Sequence, residues 1–133
     1  MKIKTSELTG PALDWAVAKC KEIPVTYHND GITREIMRLH SDGQRYNGRF
    51  NPSTCWAQGG PLIDLGNIDT FKQNNGFAGA IEMATRANPH PRPYFGPTTL
   101  IAICRCYVAS KLGDTVDIPE ELLCPSPITS SAS

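Results

Sequence analysis

Three groups of residues in this chain have the types that do chemistry. Cys104-Arg105-Cys106 is the first, two thiols of the kind that bind soft metals. On a helix, positions two apart point about 200° apart. The pair therefore cannot close on one ion. His28, His40 and His90 show no metal-ligand spacing relative to it. Buried, inert thiols are the expectation, for Cys20 as well, and no metal or cofactor is assigned. Cys55, beside Trp56 in a loop, is a candidate accessible thiol. The second group would be a nucleophile with its base. The chain has no G-x-S-x-G, no P-loop and no H-E-x-x-H. A Cys55–His dyad would need the fold to assemble it, and no catalytic residue is assigned.

The third group is aromatic. Tyr46, Phe50, Trp56, Tyr94 and Phe95 lie in or beside Gly/Pro-rich loops, with Arg45, Arg49 and Arg92 between them. Rings on which a base stacks, with arginines for phosphate, suit a nucleotide pocket. The competing reading is that the rings pin long loops to the body. The stretch NPSTCWAQGGPLID (51–64) concentrates the question, since it sets a tryptophan among Asn51, Pro52, Gly59, Gly60 and Pro61. Its two glycines either present free N–H groups or make a tight turn. The candidate ligand-binding set is Arg49, Trp56, Gln58, Gly59, Gly60, Arg92 and Tyr94. Trp56 and Tyr94 would stack, Arg49 and Arg92 would neutralise phosphate, and the glycine backbone would donate.

Composition narrows the partners. Thirteen Lys and Arg balance thirteen Asp and Glu. A chain without excess positive charge is not built for non-specific nucleic-acid binding. Charge is uneven along it, with Arg34, Arg38, Arg45 and Arg49 in one region and Asp114, Asp117, Glu120 and Glu121 in another. That asymmetry fits a small anionic ligand. MKIKTSELTG has no apolar run of signal-peptide type, no stretch is long enough for a membrane span, and five cysteines are an odd count. A cytosolic protein with reduced thiols is expected. The length of 133 residues suits one domain over 1–124, with a disordered tail over 125–133.

These residues must be positioned by a few elements. KIK (2–4) opens a strand. Thr9-Gly10-Pro11 starts a helix that runs to about Glu22. Leu13, Ala16, Val17 and Cys20 form its buried stripe, and Trp15 lies opposite, against a second layer or between protomers. A strand is expected over 23–28. Residues 29–50 read equally as a helix capped by Asp30 and as a hairpin arm. PLIDLGNID (61–69) reads as a strand, KQNNG (72–76) as a turn, and FAGAIEMATR (77–86) as a short helix or irregular segment. NPHPRPYFGP (88–97) has four prolines in ten residues and reads as an extended connector. TTLIAICRCYVASKLGD (98–114) is the clearest helix, ending at Gly113, with Leu100, Ile101, Cys104, Tyr107, Val108 and Leu112 on its apolar stripe. A strand and turn follow over 115–122. The expected fold is α+β: two main helices packed on a small, mainly antiparallel sheet, with long Gly/Pro-rich loops.

MKIKTSELTGPALDWAVAKC, NPSTCWAQGGPLID, YFGPTTLIAICRCYVASKLGD and VDIPEEL together resemble the NinX-like family of tailed bacteriophages and prophages. The segment 28–48 is where the chain departs from it. The resemblance implies a phage accessory protein acting in the cytoplasm of a bacterial host, and it implies no particular activity. Three functions compete. The first is a non-enzymatic counter-defence binder that sequesters a small nucleotide-type signal, as a homo-oligomer. The second is an interaction protein inhibiting a host protein, with the aromatics as anchors. The third is a nucleotide-processing hydrolase, for which Asp64 and Asp69 are the available carboxylates.

Overall fold

The computed structural model describes residues 1–29, 34–39, 46–73, 75–82 and 93–123. Strand β1 (Lys2–Lys4) leads through a single 3-10 turn into helix α1 (Gly10–Lys21). Strands β2 (Val25–Asn29), β3 (Arg34–Leu39) and β4 (Tyr46–Arg49) follow. Two single-turn helices, α2 (Trp56–Gly59) and α3 (Leu62–Leu65), precede strands β5 (Ile68–Lys72), β6 (Ala78–Glu82) and β7 (Tyr94–Gly96). Helix α4 (Thr99–Leu112), strand β8 (Thr115–Asp117) and the short α5 (Glu120–Leu123) complete the order. The fold is α+β. Among the described residues its antiparallel pairing is divided among three small sheets, β1-β8, β2-β3-β4 and β5-β6-β7.

Helix α4 is the centre. Ala102, Ile103, Cys104 and Val108 are fully buried, and Leu100, Arg105, Cys106 and Tyr107 nearly so. A helix covered nearly all round is a core helix. Of the expected stripe, Leu100, Cys104, Tyr107 and Val108 are buried, Ile101 is half-buried, and Leu112 is exposed. Sheet β5-β6-β7 packs on one side of α4 and α1 on another. Ala78 and Ala80 are small enough to let the helix close on β6, and both are fully buried. Gly79 faces Phe71 across the β5–β6 register, and a Cβ there would strike the Phe71 ring.

Polar ties fix this centre. Arg105 is buried, donating from Nε to the Leu8 carbonyl at 2.8 Å and from Nη1 to the Phe95 carbonyl. It clamps the segment before α1 and strand β7 to α4. Thr5 is fully buried and donates its hydroxyl to the Gly113 carbonyl at 2.6 Å. Its N–H reaches the Asp114 carbonyl. Both contacts carry the β1–β8 pairing onto the end of α4.

Several expectations change. The 61–69 stretch is not one strand. Pro61 holds φ at −60° in the helical region, Leu62–Leu65 form one turn, and Asn67, at φ 52°, ends it before β5 begins. The described part of 77–86 is strand, because burial under α4 outweighs the helix propensity of Ala and Glu. The expectation over 29–50 resolves as a hairpin: β3 pairs antiparallel with both β2 and β4, and Ile36 enters the core. Asp30 and the tail over 125–133 lie outside the described residues. The connector over 88–97 is described only from 93 on, where it ends as β7.

Candidate functional site

The loop after β4 is built by its own short side chains. Phe50, Pro52 and Ser53 are buried and hold it down. The Asn51 carbonyl accepts from the N–H groups of Thr54 and Cys55, a turn that hands over to α2. Gln58 closes the loop. Its Oε1 accepts from the Asn51 N–H at 2.6 Å, and its Nε2 donates to the Arg49 carbonyl at 2.8 Å. Gly59 is buried, and a Cβ on it would run into the Pro52 carbonyl and the Leu100 side chain. The Gly59 and Gly60 N–H groups donate to the Cys55 and Trp56 carbonyls, both at 2.8 Å. Neither is free for a ligand.

Asp14, on α1, tethers this loop from below. It is 6% exposed and accepts from the Ser53 N–H at 2.9 Å. Burial pushes its carboxyl up to about 6, against the opposing pull of the Ser53 N–H, of the nearby Ser53 hydroxyl and of the Arg49 charge. The Ser53 hydroxyl is buried and has no hydrogen-bond partner among the described residues. Arg49 itself reaches Glu35 on the neighbouring strand, Nε to Oε1 at 3.3 Å.

Tied in this way, the loop leaves Trp56 outside the core. Its side chain is 56% exposed and lines a cleft of about 510 Å³. Ser53, Lys72, Pro97 and the first residues of α4 line the same cleft, and no acidic residue does. Lys72 has no carboxylate partner among the described residues. At the start of α4, Thr98 caps the helix, its Oγ1 accepting from the Ile101 N–H at 3.2 Å. A second cavity, of about 400 Å³, lies between Thr9, Pro11, Tyr27 and Arg34, and contains none of the expected site residues.

The structure therefore separates the expected ligand set. Trp56 lines the larger cleft. Arg49, Gln58, Gly59, Gly60 and Tyr94 do not; the first is ion-paired, and Gln58 and the glycines shape the loop. Tyr94 is half-buried in β7 opposite Ala80, packed on the core. Arg92 lies outside the described residues. Trp15 is half-buried against its own core, with the Lys19 ammonium 5.4 Å from the ring centre. Sequence reasoning missed Lys72, Ser53 and Asp14. Only Thr98 had a visible signal, as the cap position after Gly96-Pro97.

The two thiols of α4 are inert by placement, whereas Cys20 and Cys55 are half-buried. Cys104 and Cys106 are buried, and burial pushes the Cys106 thiol up to about 12 and Cys104 higher still. Among the described residues no His, Cys, Asp and Glu side chains gather in a group able to hold a metal. No helix among them is long and apolar enough to cross a membrane.

Fold and cleft together define a small α+β protein with a ligand-sized hollow at the start of its central helix. The family described as "Bacteriophage P22, NinX" matches residues 4–111, and the chain belongs to it. No curated protein matches the chain.

Proposed function

We propose that this phage protein is a non-enzymatic binder that captures a small nucleotide-type ligand in the Trp56 cleft, sequestering a signal made by the host's defences. The observation that carries this reading is the exposure of Trp56. An indole more than half exposed beside a hollow of about 510 Å³ supports a stacking role. The positive character of the lining supports an anionic ligand. Asp64 and Asp69, the carboxylates a hydrolase would call on, do not line the cleft. A homo-oligomer remains part of the proposal, with Trp15 at the contact.

A second reading has its own support. Leu65, Phe71 and Phe77 are also exposed, and such side chains anchor protein partners. A thermal-shift panel of linear and cyclic nucleotides separates the two. A ligand at a hundred times its Kd adds about 2.7 kcal/mol, and for a domain of this length raises Tm by on the order of 10 °C. A nucleotide that stabilises the protein and is recovered intact supports sequestration. One recovered altered makes the protein an enzyme. Silence across the panel, with capture of a defined host protein, favours the second reading.

A further inference from the structure

The hollow beside the start of α1 shares no lining residue with the Trp56 cleft. Its volume of about 400 Å³ is that of a small-molecule site. Ile3, Leu8, Ala12 and Leu122 give it apolar walls. Leu8 and Ala12 belong to the core, and Ile3 and Leu122 pack against it. The Leu8 carbonyl is held by Arg105, which fixes this wall to α4.

Strand β3 brings a charge to the hollow. Side chains alternate along a strand. Ile36 enters the core, so Arg34, two residues before it, is turned toward the body of the protein as well. Tyr27, the register partner of Ile36, stands on that same face. Arg34 and Tyr27 both line the hollow. Glu35 falls on the opposite face, where Arg49 takes it at 3.3 Å, so it does not neutralise Arg34. Arg34 is half-buried and has no ion-pair partner among the described residues.

Glu7 supplies the opposite sign. It lines the same hollow, is exposed at its edge, and has no ion-pair partner among the described residues either. The two charges share one hollow without pairing with each other. A simple anion would be drawn to Arg34 and repelled by Glu7, and a simple cation the reverse. A ligand that carries both signs meets a partner at each end, and the guanidinium fork suits a carboxylate.

We infer that this hollow binds a free α-amino acid with an apolar side chain. Its carboxylate meets Arg34, its ammonium meets Glu7, and its side chain lies against the apolar walls. The inference is independent of the nucleotide reading, because it uses no residue of the Trp56 cleft.

The test is two-dimensional amide NMR of the full chain, titrated separately with L-leucine, L-leucinamide, N-acetyl-L-leucine and glycine at constant ionic strength. L-leucine is expected to move the Ala12 and Arg34 amides saturably. Leucinamide lacks the carboxylate and N-acetyl-leucine lacks the ammonium, so each should bind about tenfold or more weakly, as loss of a charged hydrogen bond does. Glycine lacks the side chain and should lose about as much. Arg34→Gln should weaken leucine and remove its advantage over leucinamide, the sign that the lost contact is the one to the carboxylate. Glu7→Gln should likewise remove its advantage over N-acetyl-leucine. The analogues test the same contacts in the unaltered chain, whatever a substitution does to the fold. Unmoved Ala12 and Arg34 amides in leucine, or either blocked analogue binding as tightly as leucine, overturns the inference. Glycine binding as tightly as leucine overturns the apolar side chain.

Discussion

Asp14→Asn separates the charge of the buried carboxylate from its hydrogen bond, because Asn keeps an oxygen for the Ser53 N–H. In the native protein burial lifts this carboxyl from 3.8 to about 6. The folded state therefore binds the proton more tightly than the unfolded chain does. Above about pH 6 the carboxylate is ionised in both states, and the fold carries the full cost of burying it. As pH falls from about 6 to about 4 the native state takes up the proton first, and stability rises. The shift corresponds to about 3 kcal/mol once both states are protonated, most of it gained by pH 4. Asp117 works in the opposite sense, since its hydrogen bond and ion pair with the amino terminus hold it below the usual carboxylate range. Comparing wild type with Asp14→Asn cancels that contribution. Urea denaturation at a series of pH values gives the assay. The stability of Asp14→Asn relative to wild type should be about 2–3 kcal/mol more favourable at pH 7.5 than at pH 4. A difference that does not change with pH would refute the burial argument.

Other substitutions test the loop and the core. Gly59→Ala must force a Cβ against the Pro52 carbonyl and Leu100, so a loss of about 1–3 kcal/mol is expected in urea melts. Trp56→Ala, at an exposed side chain, should change stability by no more than about 0.5–1 kcal/mol, a result read in the same melts. Arg105→Met leaves the Leu8 and Phe95 carbonyls without their donor inside the core, and a loss of about 2–4 kcal/mol should follow. Cys104 and Cys106 should resist a thiol reagent at pH 8 in the native protein and react once it is unfolded, as mass spectrometry of the labelled peptides would show.

What the sequence made legible was local. The Thr9-Gly10-Pro11 start of α1, the TTLIAICRCYVASKLGD helix and the KQNNG turn follow from caps, breakers and period, which are short-range signals. What it hid was set at long range. FAGAIE has the composition of a helix, and only the close approach of α4 makes its small residues a strand. PLIDL alternates loosely like a strand, yet Pro61 and Asn67 confine it to one helical turn. At the site, Trp56 stood out by residue type. Its neighbours Lys72 and Ser53 are separated from it by other elements or carry no motif. Asp14 sits at a helix position that polarity alone would turn to solvent, and its burial depends on a loop 39 residues away.

Trp56 binding of a nucleotide is the central claim, and tryptophan emission reads it directly. Trp15→Phe leaves Trp56 as the sole reporter, and Trp56→Phe leaves Trp15. Titration of adenosine monophosphate into Trp15→Phe should quench the emission saturably, while Trp56→Phe shows no saturable change and binds more weakly in calorimetry. No saturable quench in Trp15→Phe, or equal affinity in both variants, would contradict the claim that this indole is the stacking surface.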